Sequence, residues 1–110
     1  MEGVFSYDGS DMKRTALVLA MAALAGCAVY LPQPDAMMAG GDDDRLADLR
    51  AGRELYVNKC SGCHSLISVD RFDDAKWTSE VEEMFRLKKV KMTGDDRDRL
   101  LRYLTTANGR

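Results

Sequence analysis

Five consecutive residues carry the chemistry of this chain: Cys60-Ser61-Gly62-Cys63-His64. A Cys-x-x-Cys-His run is the attachment signature of haem c. Its two thiols add across the two vinyl groups of one porphyrin and form thioethers. The spacer, Ser61-Gly62, is small and flexible, so one helical turn can span that width. The adjacent imidazole then lies beneath the iron and coordinates it. His64 is the only histidine in the sequence. Cys60 and Cys63 are therefore read as covalent haem-binding residues and His64 as the proximal iron ligand, for one haem c.

Other uses of this pentapeptide compete with that reading. A structural zinc site usually takes four Cys or His ligands. The chain offers Cys60, Cys63 and His64, and its one further thiol, Cys27, has a different explanation. A thioredoxin-like pair calls for βαβ patterning, and none is visible. A chance match is the remaining alternative, and what precedes the motif weighs against it.

Residues 12–26 read as an export signal. Lys13 and Arg14 form a positive start, Thr15 to Ala23 an apolar stretch, and Leu24-Ala25-Gly26-Cys27 a small-residue cleavage site. The apolar run of about 15 residues falls short of the ~20 that a bilayer span needs. An uncleaved anchor helix is the alternative. The ending resembles a bacterial lipobox, which implies that Cys27 becomes the acylated first residue of the mature protein. Residues 1–11 carry three acids ahead of a basic start, so translation is expected to begin at Met12. Export also bears on the thiols, because disulfides persist outside the cytosol and Cys60 and Cys63 could in principle pair there.

From residue 27 to 42 the composition shifts to Pro32, Pro34, Gly40 and Gly41, followed by an acidic run, Asp42-Asp43-Asp44. Breakers and solvated acids read as a flexible tether, with Met37 and Met38 incidental to it. Residues 43–110 then form one small domain. Below about 70–80 residues an ordinary apolar core stabilises by only a few kcal/mol, and a covalently held haem would act as a staple. Net charge is −2 for the whole chain, yet from Arg45 to Arg110 14 Lys and Arg stand against 11 Asp and Glu. Neither that modest excess nor any basic-aromatic stripe points to nucleic acid.

Three helices are expected in that domain, and no strand. The first spans about Asp43 to Lys59, with Leu46, Leu49, Gly52 or Arg53 and Tyr56 on one face. Gly52 inside it costs about 1 kcal/mol relative to Ala, which a close helix crossing would justify. The second runs from Asp73 or Asp74 to about Leu87, with Trp77, Val81, Met84 and Leu87 as its stripe. The third begins at Thr93 as N-cap, buries Leu100, Leu101, Tyr103 and Leu104, and ends at Asn108-Gly109.

These patterns resemble the class I monohaem cytochrome c family. Gly52-x-x-Leu55-Tyr56 ahead of the haem motif looks like the family's first helix. Thr93-Gly94-Asp95-Asp96 leading to Leu101-Arg102-Tyr103-Leu104 resembles its last, and Trp77-x-x-x-Val81-x-x-Met84 is similar to a compact branch. The resemblance covers about residues 45–107. It implies an all-α, cytochrome c-like fold of three helices around covalently attached haem. The sequence departs from the family in having no Pro from Ser65 to Ala75 and a short connection between the second and third helices.

Methionine thioether is the usual sixth ligand in such proteins, and with one histidine bis-histidine ligation within the chain is excluded. Met84, on the Trp77/Val81 face, is the favoured distal ligand, and Met92, just before the last helix, is the alternative. The expected function is a membrane-tethered c-type cytochrome, not an enzyme, passing single electrons between exported or membrane redox partners. It would sit in the bacterial periplasmic space, lipid-anchored through Cys27, with Ala28 leaning towards the outer membrane. Arg86, Lys88, Lys89 and Lys91 form a basic cluster that reads either as an ordinary solvated helix end or as a surface suited to an acidic redox partner. Two alternatives stay open: a haem c sensor or ligand binder with an open iron site, and a haem subunit of a larger oxidoreductase.

Overall fold

The computed structural model describes residues 29–62 and 65–109, an all-α domain of three helices with no strand among the described residues. The helices are α1 (Asp43–Leu55), α2 (Asp74–Arg86) and α3 (Gly94–Ala107). Each starts on a side-chain cap that satisfies an amide the helix leaves orphaned. Asp42 accepts from the Arg45 amide, Asp73 from Lys76 and Thr93 from Asp96. Acids in every first turn, Asp43, Asp44, Asp74, Asp95 and Asp96, face the positive end of the dipole.

Apolar faces of the helices meet in one core. Leu49 and Tyr56 come from the first helical stretch, Trp77 and Val81 from α2, and Leu100, Tyr103, Leu104 and Ala107 from α3, all buried. Fully burying a Leu or Val side chain stabilises by about 1.5–3 kcal/mol, so this short list accounts for much of what holds the domain. α1 and α3 cross at Gly52. A Cβ added there would lie 2.5 Å from the Arg99 carbonyl oxygen and 2.7 Å from Tyr103 Cβ. The glycine is thus the contact point of the two helices, as its interior position suggested.

Three expectations need correction. The first helix does not stay α-helical to Lys59, because Tyr56–Cys60 is a π-helical turn. Ser61 Oγ donates to the Val57 carbonyl at 2.6 Å, occupying the acceptor that an α-helical amide would claim. Leu87 does not extend the buried stripe. It is the C-cap of α2 and 43% exposed, since the chain turns out at Lys88, which has φ +54°.

The third correction concerns the segment read as a flexible tether. Its described part, residues 29–42, is docked along the helices. The Pro32 carbonyl accepts from the Tyr103 hydroxyl at 2.9 Å, and the Leu31 carbonyl from the Arg53 guanidinium at 3.4 Å. Ala39 is buried and Met38 packs against the core, while Met37 points to solvent. Gly40 (φ +64°) and Gly41 (φ +81°) turn the chain into the Asp42 cap. Residues that break helices here specify one path; their carbonyls, with no ladder partner, are taken by side chains of α1 and α3.

Candidate functional site

Cys60 ends the π-helical turn, 4% exposed and part of the core cluster. Cys63 and His64 lie outside the described residues, as do Cys27 and the signal segment 12–26. What the structure shows is how the chain on both sides of the Cys63-His64 dipeptide is held. π-Helical turns are frequent at functional sites, and this one delivers the first thiol of the motif into the core.

On the far side, residues 65–72 are fixed by two aromatic side chains with polar tips. The Tyr56 hydroxyl donates to the Ile67 carbonyl at 2.6 Å and accepts from the Ile67 amide at 3.0 Å. Trp77 Nε1 donates to the Val69 carbonyl at 2.8 Å. The two rings meet edge to face, with centroids 5.7 Å apart and planes at 85°, and Phe72 closes on Trp77 at 5.0 Å. Edge-to-face pairs add about 0.5–1.5 kcal/mol beyond area burial. Burial pushes the Tyr56 phenol up to about 12, so it stays a neutral donor at physiological pH. Asn108, at the C-cap of α3, donates to Asp74 Oδ1 at 2.7 Å and to the Phe72 carbonyl at 3.4 Å. The loop that follows the motif is therefore tied to all three helices.

The two candidate thioethers occupy different places. Met84 is half-buried near the C-terminal end of α2. Met92 lies between α2 and α3, packs against the core and lines a cleft of about 440 Å³ with Phe85, Val90, Lys88 and Lys91. A smaller cleft of about 240 Å³ runs between the Leu55–Lys59 stretch and the Asp96/Arg99 turn of α3. Leu55, Leu66, Ile67 and Met92 pack on the core yet remain partly exposed. Apolar side chains so placed suit contact with a flat apolar group, and Cys60 reaches the core from the same stretch. Neither cleft is lined by Cys60 itself, which is buried in the core.

The basic cluster stands on a well-defined knuckle. The Lys88 amide bonds the Phe85 carbonyl and the Lys89 amide the Met84 carbonyl, both at 3.1 Å. That pair of bonds is a Schellman cap, with Lys88 at the left-handed position where Gly is the usual residue. Arg86, Lys88, Lys89 and Lys91 are all exposed, and among the described residues none of the four meets a carboxylate.

Sequence reasoning missed three positioning residues. In the sequence Tyr56 reads as a packing residue, Trp77 as part of a stripe and Asn108 as a stop signal. A buried aromatic with a polar tip requires a partner, and that requirement is the signal by which a sequence can point to a nearby backbone acceptor. No helix among the described residues is long and apolar enough to cross a membrane. Among the same residues no group of three His, Cys, Asp or Glu converges on one point. Compared with protein-family models, with characterised proteins and with solved structures, the chain matches none.

Proposed function

We propose that this chain is a membrane-tethered c-type cytochrome that carries single electrons, with Cys60 and Cys63 as its thioether residues and His64 as its proximal iron ligand. The observation that carries the reading is the pentapeptide Cys60-Ser61-Gly62-Cys63-His64. The all-α domain supports it, because Cys60 closes a helical stretch and enters the core beside apolar side chains that remain partly exposed. When bound, haem c supplies Fe(II)/Fe(III) cycling of one electron, at a potential that His/Met ligation raises relative to bis-His.

The chain's own residues do the rest. Tyr56 and Trp77 clamp residues 67 and 69, which limits the freedom of the short segment that follows the motif. Met84 is the favoured sixth ligand and Met92 the alternative. Arg86, Lys88, Lys89 and Lys91 present exposed positive charge suited to steering an acidic redox partner. Acyl chains on Cys27 would hold the domain at a membrane, each buried CH₂ contributing about 0.8 kcal/mol.

The test is to make the full chain alongside haem-attachment machinery and record its mass and visible spectrum. Added mass of one tetrapyrrole, lost in Cys60→Ala and Cys63→Ala, is the expected result; colourless protein of unmodified mass overturns the reading. A far-red thioether-to-ferric-iron band should vanish in Met84→Ala and survive in Met92→Ala; the reverse pattern transfers the ligand role to Met92. Prompt carbon monoxide binding by the native protein at neutral pH moves the function from carrier to ligand binder.

A further inference from the structure

Among the described residues, Val29 and Tyr30, where the described chain emerges, are the exposed apolar residues nearest in sequence to Cys27, at 39% and 52% exposure. The backbone of Tyr30 is held in place. Its amide donates to Ser68 Oγ at 3.0 Å, and its carbonyl accepts from the Val69 amide at 2.9 Å. The next two residues are held as well, through the Arg53 and Tyr103 bonds to Leu31 and Pro32. Two residues, Ala28 and Val29, separate Tyr30 from Cys27. A fully extended chain covers at most about 3.6 Å per residue, so Tyr30 lies within about 11 Å of Cys27. A free segment of about 15 residues would instead allow excursions of about 20 Å. The headgroup layer of one leaflet is about 5–8 Å deep.

We propose that the lipid bilayer itself docks on the face formed by Val29 and Tyr30, so that the domain sits flush against the membrane. The inference rests on the reading of Cys27 as an acylated residue. Tyrosine, with an apolar ring and a polar tip, is suited to the headgroup level. Exposed Asp70 and Arg71 beyond Val69 carry opposite charges, so chain length and apolar contact hold this face rather than net charge. Because Tyr30 pairs with Ser68 and Val69, the loop just after the haem motif is the part of the domain turned towards the lipid. Approach to that loop is then from the membrane surface.

The test uses the full lipidated chain on vesicles of phosphatidylethanolamine and phosphatidylglycerol. A companion variant carries a spacer of about twelve Gly and Ser residues between Ala28 and Val29. Hydroxyl-radical labelling of Tyr30 is read by mass spectrometry, and the N-terminal peptide of each protein is weighed. Expected is acyl mass on Cys27 in both, with Tyr30 labelled several-fold less in the native spacing than in the spacer variant, at low and high salt alike. Acyl mass with equal labelling overturns the docking and leaves the lipid anchor intact. Absence of acyl mass overturns the anchor and the docking together.

Discussion

Tyr56 shows how one side chain can set the geometry around the motif. Its hydroxyl both donates to and accepts from Ile67, so its loss leaves an amide and a carbonyl in a partly buried place without their partner. Tyr56→Phe is expected to cost about 1–3 kcal/mol, measured by urea denaturation. Burial also raises its pKa from 10.0 to about 12, and Tyr103 shifts likewise for the same reason. A group whose folded pKa lies above its unfolded value stabilises fully below the unfolded value and loses that contribution as pH rises. Stability should therefore decline from about pH 10 towards pH 12. Tyr56→Phe should make that decline shallower; an unchanged alkaline limb would show that Tyr56 ionises as it does in the unfolded chain.

At the scale of elements, the α1–α3 crossing decides the architecture. Gly52→Ala would raise helix propensity by about 1 kcal/mol. It would also drive a methyl group into the Arg99 carbonyl and Tyr103 Cβ, neither of which is a flexible chain end. Overpacking typically costs about 1–3 kcal/mol, and the pressure here is on backbone, so net destabilisation of about 2 kcal/mol or a loss of folding is expected in thermal melts. The crossing is reinforced at its edge by Asp48. Arg102 donates to both carboxylate oxygens, at 2.7 and 2.9 Å, and Arg99 donates at 3.1 Å. The Arg102 hydrogen bond leads in holding Asp48 at about 2, below its ordinary 3.8. A depressed acid stabilises above its unfolded pKa and loses that contribution as pH falls through the folded one. The Asp48 contribution should therefore disappear between about pH 4 and pH 2. Because Arg102 is half exposed, solvent screening limits it to about 1 kcal/mol. Asp48→Asn should lose that amount at neutral pH and flatten the acid limb of the stability curve.

For the whole molecule, the distribution of charge and the two ends of α2 matter most. The N-terminal end of α2 sits against the loop after the motif, through Trp77 and Asn108. Its C-terminal end carries the Lys88 knuckle. A lysine held at φ +54° costs about 1 kcal/mol relative to glycine, and strain of this kind gathers at functional places. K88E/K89E should slow electron exchange with an acidic partner, and the difference from the native rate should shrink as salt rises. Equal rates at low ionic strength would remove this surface from the docking account. The bilayer contact at Tyr30 should be indifferent to salt, which separates the two surfaces in one titration.

The helices, the Thr93 cap and the Gly52 crossing were legible in the chain because they depend on local chemistry. Thr93 precedes amides that need an acceptor, apolar residues recur at helical spacing, and a glycine inside a helix signals close approach. The reading of the pentapeptide rests on the sequence alone, since its chemistry is contained in five adjacent residues and two of them, Cys63 and His64, lie outside the described residues. The path of residues 29–42 was not legible, since Pro32 and Leu31 are held by Tyr103 and Arg53, partners 71 and 22 residues away. The clamp of Tyr56 and Trp77 on the loop at Ile67 and Val69 likewise depends on where α1 and α2 come to rest. Such contacts arise when the core closes, and a composition rich in Pro and Gly looks the same whether its carbonyls meet water or a side chain.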